Sequence, residues 1–241
     1  EFIEKSYLLT FDDGLKDHLK VAETLKLMNV KATFYIPIKP YLNKQILPVH
    51  KTHLICSKVG KESLELLKKA CIELGIEINS LISNEEKIKY QSAYKHQNEE
   101  TKIKEFKKII NYYGKIGLRD KLLDWILEKL GLKNVNYEKF YLTRNEIKHI
   151  SSLGFEIGSH GVSHTLLSRL PYRKQLSELK SSKEFLERII GAKVTSFCFP
   201  YGGKSSYDKS TLEILRNLKY HNATSVESRD ISQDDLKKFL F

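Results

Sequence analysis

The stretch Tyr7-Leu8-Leu9-Thr10-Phe11-Asp12-Asp13-Gly14 decides how this 241-residue chain is read. An apolar, mostly β-favouring run ends in two adjacent carboxylates and a glycine, and a helical pattern follows. A buried parallel strand hands over to a helix in this way. Two neighbouring acids at a strand end repel each other unless a cation or a shared proton relieves them, and a metal ion is the economical answer. For either acid alone the competing reading is a helix N-cap.

Downstream, Leu15, Leu19, Ala22, Leu25 and Met28 recur at three- and four-residue spacing and predict a helix to about residue 29. Ala32 to Ile36, closed by Pro37, reads as a second strand. Strand, helix and strand make a βαβ unit, which places Asp12 and Asp13 on the carboxyl edge of a parallel sheet or barrel, where α/β proteins carry their sites. From about residue 39 to 140 strand-like runs give way to helical patterns at Leu64-Cys71, Ile103-Ile110 and Leu122-Leu130, so a mostly helical insertion is expected. The βα rhythm returns at Thr143-Arg144-Asn145-Glu146, a capping box. It continues through a strand at 155–159, a helix from Tyr172 to Ile190 stopped by Gly191, a strand from Val194 to Phe199, and a helix marked by Leu212, Leu215 and Leu218. A last short strand is read at Tyr220 to Ala223, and an amphipathic pattern at Ser232 to Phe241.

The net charge of +11 raises the question of nucleic acid, but 34 of the 41 basic residues are Lys and 7 are Arg, and no nucleic-acid-binding motif is present. Solvated lysine faces explain the charge better. Residues 38–140 hold 20 basic and 13 acidic residues and so contribute +7. That charge either draws in an anionic substrate or merely solvates the helices. No apolar run approaches the roughly 18 residues of a membrane span. Three cysteines, Cys56, Cys71 and Cys198, form no CxxC pattern, which fits a reducing, cytoplasmic location. Trp125 reads as core, and His50 and His53 as structural.

His160 and His164 lie just beyond a strand, as the acid pair does. If the segment makes a helical turn, both imidazoles project to one side. With Asp13 they supply two nitrogens and a carboxylate oxygen, a set suited to zinc or another first-row metal with positions left open.

The motifs TFDDG (10–14), SHGVSH (159–164) and FCFPYG (197–202) resemble the successive motifs of the polysaccharide deacetylase family, the NodB homology or carbohydrate esterase family 4 domain. The match spans residues 7–37 and about 141–224. The resemblance implies an α/β fold, a distorted (β/α) barrel of about seven parallel strands, here one domain over 1–241 interrupted at about 39–140. It implies a metal-dependent hydrolase acting on carbon–nitrogen, non-peptide bonds, which removes N- or O-acetyl groups from sugar units of a bacterial-type surface glycan or its precursor. It further implies Asp12 as general base, Asp13, His160 and His164 as metal ligands, and the Tyr201 backbone amide as an oxyanion donor.

The chain departs from the family pattern in two places. Cys198 stands where many members have an arginine against the base carboxylate, and no late Leu-x-His motif follows Tyr201; His221 follows Tyr220 instead, read as part of the last strand. The alternatives are a hydrolase of a non-sugar amide built on the same site and a degenerate member that only binds glycan.

Overall fold

The computed structural model describes residues 7–226 together with Ile231 and Asp235, so the pattern read at Ser232 to Phe241 lies outside the described residues. The chain forms two compact units, one of residues 1–45 and 136–241 and the other of residues 46–135.

The first unit is α/β. Its sheet has five strands, all parallel and in chain order: β1 (Leu9–Phe11), β2 (Ala32–Ile36), β3 (Glu156–Ser159), β4 (Ser196–Cys198) and β5 (Asn222–Thr224). It curls into a half-barrel, with five strands among the described residues against the expected seven. β2 lies between β1 and β3, and all five of its residues are buried, as a βαβ unit covered on both faces requires.

β1 departs from expectation. Its register with β2 is parallel, Leu9 to Ala32 through Phe11 to Phe34, yet it is not buried: Leu9 is 38% exposed, and Leu8 and Tyr7 before it 56% and 92%. It is an edge strand in the described sheet, and an apolar run alone cannot tell an edge from a centre. The first helix also starts later than the periodicity predicts, at His18–Leu27, because Gly14 to Lys16 pair with another segment. Leu142 N donates to Gly14 O (2.9 Å), and Lys16 N donates to Phe140 O (2.7 Å). Leu27 and Met28 face solvent.

The helix Arg144–Ser152 carries both halves of its capping box, with Glu146 N on Thr143 Oγ1 and Thr143 N on Glu146 Oε2. Tyr172–Ile190 ends at Gly191, whose φ of 69° suits a residue without Cβ. These helices and the sheet close over Phe34, Ile36, Ile157, Leu179, Leu186, Phe197 and Phe199. Each such side chain contributes about 1.5–3 kcal/mol by leaving water.

The second unit is largely helical, with Pro48–Val59, Ser63–Glu73, Thr101–Lys108 and Ile116–Lys129 as its longest helices. It buries Leu67, Phe106, Leu122, Leu123 and Ile126. Two lysines are buried here with carboxylate partners, Lys51 on Asp124 and Lys107 on Glu99. Trp125 is only half-buried and lies under the Lys129 ammonium (5.2 Å), so it is not the core residue expected. The His50 and His53 rings are 6.3 Å apart. No helix among the described residues is long and apolar enough to cross a membrane.

Candidate metal centre and catalytic site

Every candidate residue lies at the carboxyl end of a strand in the first unit. β1 delivers Asp12, after which Asp13 (φ 72°) and Gly14 (φ 59°) both adopt the left-handed conformation and turn the chain sharply. Gly14 is needed twice over: a Cβ there would meet Ile36 Cδ1 at 3.0 Å, in a conformation that already disfavours side chains. β3 delivers His160, whose N–H extends the ladder to Ile36 O (3.1 Å).

The segment from His160 to His164 is not the helical turn anticipated. Gly161 (φ 74°) and His164 (φ 51°) bend it, and it is pinned from both sides. Ile38 N and Lys39 N donate to Gly161 O and Val162 O, and Val162 N and Ser163 N both donate to Glu178 Oε2, at 2.8 and 2.9 Å. The loop thus reaches, by a different backbone path, the convergence of imidazoles that the spacing suggested. Their ring centroids are 4.9 Å apart.

The donor atoms converge on Asp13. His160 Nε2 lies 3.7 Å and His164 Nε2 3.4 Å from Asp13 Oδ1, with both rings nearly buried and the carboxylate 20% exposed. Ligands held about 2.1 Å from a shared tetrahedral ion sit about 3.4 Å apart, so the spacing fits a metal ion better than direct hydrogen bonds. The tautomer of His160 fits as well. Its Nδ1 is 2.7 Å from the carbonyl of Cys198, which can only accept, so Nδ1 carries the proton and Nε2 presents its lone pair.

Asp12 is set differently. Its Oδ2 accepts from the Cys198 thiol (3.4 Å), while its Oδ1 is buried without a hydrogen-bond partner among the described residues. One oxygen is therefore oriented and the other is left for a proton. A second donor group, Asp12, His160 and Cys198, also lies close together. In it burial, and then the Asp12 charge, raise the Cys198 pKa well above the ordinary thiol range, so the thiol keeps its proton and donates it to Asp12.

Tyr201 follows β4 in the left-handed conformation (φ 65°), its ring edge-on to His164 at 4.8 Å. Gly202 cannot be another residue without movement, since a Cβ would meet Val226 Cγ2 at 2.4 Å and Val226 N at 2.6 Å. His221 lies just outside β5 and is exposed.

Two residues were not anticipated. His18, buried at the start of its helix with its ring 5.6 Å from that of Phe11, is held below the usual imidazole range by burial, against the opposing fields of Asp13 and Asp12. Glu178, which anchors the histidine loop, is fourteen residues from His164 on the far side of a turn, and nothing in its own neighbourhood marks it.

Comparisons with known proteins agree with this architecture. Residues 118–223 match the family model described as polysaccharide deacetylase; the segment bearing Asp12 and Asp13 lies outside that match. YxkH of Bacillus subtilis (strain 168), which carries a provisional polysaccharide deacetylase name, is 26% identical over 116 residues, 45% of this chain and 40% of that protein. The peptidoglycan-N-acetylmuramic acid deacetylase PdaC of the same organism is 33% identical over 61 residues, 25% of this chain and 13% of that protein. The Streptococcus pyogenes deacetylase PplD, solved with acetate, superposes with a TM-score of 0.52 at 16% identity, covering 97% of this chain and 61% of that one. A Bacillus cereus polysaccharide deacetylase gives 0.50 at 16% identity, covering 99% and 46%. The chain thus spans less than two thirds of each of these relatives, and the structural likeness speaks to fold alone. Family match, relatives and fold all point the same way, and indicate a domain of the polysaccharide deacetylase type, the carbohydrate esterase family 4 or NodB homology domain.

Proposed function

We propose that the chain is a metal-dependent hydrolase that removes N-acetyl, or O-acetyl, groups from sugar units of a surface glycan or its precursor. The observation that carries this reading is the division of labour between the adjacent acids: Asp13 joins two imidazoles in a donor set, while Asp12 stands outside it with one oxygen held by the Cys198 thiol and the other buried without a hydrogen-bond partner among the described residues. The name of PdaC, which specifies an acetylated sugar of peptidoglycan, supports a glycan substrate.

Asp13, His160 and His164 would hold the ion, most suitably zinc given two nitrogens and one oxygen. When bound, such an ion polarises an acyl carbonyl and makes water more acidic. Asp12 Oδ1 then takes the proton of the attacking water as its oxygen adds to the acetyl carbon. The backbone amide of Tyr201, aimed by the left-handed Tyr201-Gly202 turn, donates to the oxyanion that develops. Collapse breaks the carbon–nitrogen bond, the amine leaves with a proton, and acetate is released.

The test is acetate release from N-acetylglucosamine oligomers by metal-loaded protein, beside Asp12→Asn. The variant should keep its metal and lose turnover by at least about 100-fold. Loss of metal from Asp12→Asn would make Asp12 a ligand and overturn the assignment.

A further inference from the structure

A pocket of 340 Å³ lies in the first unit, lined by Tyr41, Tyr137 and Tyr141 together with Lys44, Arg144 and Glu138. Its place follows from topology. Residues 37–45 leave the carboxyl end of β2, and the helix Arg144–Ser152 runs down to the start of β3, so its first turn stands at that same carboxyl edge. The pocket wall is joined directly to the catalytic turn. Leu142 N donates to Gly14 O, Leu15 and Tyr141 form an antiparallel bridge, and a methyl on Gly14 would lie 3.5 Å from Tyr41 Oη.

Its chemistry is that of a sugar site with a charge preference. Tyr41 and Tyr137, both partly exposed, offer flat apolar faces of the kind on which pyranose rings rest, Tyr141 is buried behind them, and the volume falls within the range of small-ligand sites. Two cations face one carboxylate. Lys44 and Arg144 have no ion-pair partner among the described residues, whereas the neighbouring Lys16 is spent on Glu146 at 2.6 Å. Arg144 is preorganised, with its guanidinium 5.1 Å above the Phe185 ring and reaching toward the Tyr41 carbonyl (3.5 Å). Glu138, the one acid in the wall, accepts from the Tyr137 hydroxyl (3.3 Å).

We propose that this pocket is a subsite for an anionic sugar ring, one bearing a carboxylate or a phosphate, that flanks the acetylated ring on the same glycan. The proposal rests on the glycan-deacetylase reading, and its test is a binding measurement that needs no turnover. Full-length Asp12→Asn protein is titrated calorimetrically with three probes: neutral di-N-acetylchitobiose, the N-acetylglucosaminyl-N-acetylmuramic acid disaccharide with its carboxylate, and di-N-acetylchitobiose carrying a terminal phosphate. At least one anionic probe should bind about fivefold more tightly than the neutral one, as exposed charge pairs allow, and that ratio should shrink as salt is raised. Whichever anion shows the preference identifies its source.

Arg144→Gln and, independently, Lys44→Gln should each lower the anionic-to-neutral ratio. Lys44, unlike Arg144, is not stacked over the Phe185 ring, so that variant guards against a loss caused by disturbed packing there. Equal affinities for all three probes, or a preference that survives both substitutions, overturns the subsite. Absence of acetate release alongside a retained anionic preference would instead sink the deacetylase reading and leave the subsite standing.

Discussion

Glu178→Ala should weaken metal binding without touching a ligand. The Glu178 carboxylate accepts from Val162 N at 2.8 Å and Ser163 N at 2.9 Å, and so fixes the loop between His160 and His164. Hydrogen bonds to a charged acceptor contribute about 1.5–3 kcal/mol each, with a half-exposed carboxylate at the lower end. Water recovers part of this in the variant, so the ordering energy lost is about 1.5–2 kcal/mol. If it is drawn from the folded loop that holds His164, metal affinity should fall about 10- to 30-fold, within the range for residues that orient ligands. Competition against a chromophoric zinc chelator measures it, with circular dichroism verifying that the fold is intact. Glu178→Gln keeps a neutral acceptor and should lose about half as much in free energy. An unchanged affinity in Glu178→Ala would show that the loop holds its shape without the carboxylate, and would refute the reasoning.

Other outcomes follow from the same geometry. His160→Ala and His164→Ala should each lose bound metal in elemental analysis while circular dichroism stays that of the parent; full stoichiometry in both would remove them as ligands. Cys198→Ser preserves a donor to Asp12 and should keep much of the activity, whereas Cys198→Ala leaves Asp12 Oδ2 without that contact and should lower kcat more than KM. Since burial raises all three thiol pKa values, the reactive thiolate is scarce at neutral pH and grows only as pH climbs. Iodoacetamide labelling of Cys56 should therefore rise toward its pKa of about 11, with Cys198 slower still; rapid labelling of Cys198 at neutral pH would contradict the structure. Gly202→Ala forces a methyl against the Val226 backbone at φ 61° and should cost about 2–4 kcal/mol, read as a lowered unfolding midpoint in urea.

What could be read from the chain was what neighbouring residues decide. β2 at Ala32–Ile36, the helix Tyr172–Ile190 with its Gly191 stop, and the Thr143/Glu146 capping box depend on periodicity and caps within a few residues, and all appear at the positions read. The last strand was read two residues early. Tyr220 is as apolar as a strand residue, but it packs on Phe197 and donates its hydroxyl to Leu179 O before β5 begins at Asn222. The exposure of β1 was illegible because it depends on which strand has a second neighbour. In the site, the meeting of Asp13, His160 and His164 was anticipated from strand-end placement. The path was not, because a left-handed His164 has no compositional signal. The gap foreseen at Cys198 is filled by its own thiol and carbonyl, which reach Asp12 and His160 across 186 and 38 residues.

Asp13, His164 and Tyr201 share one property: each holds a side chain with φ near +50° to +70°, where L-residues crowd their own backbone. At about 1 kcal/mol or more apiece, the three together represent a standing instability that ordinary packing elsewhere must outweigh. They sit on three different loops, so no single rearrangement relieves them, and their common feature is the site they face. A lineage of this chain freed from chemistry would be under steady pressure to relax there first, accepting glycine or asparagine at these positions and gaining thermal tolerance. Residue identity at 13, 164 and 201 would then separate working descendants from retired ones before any assay is run.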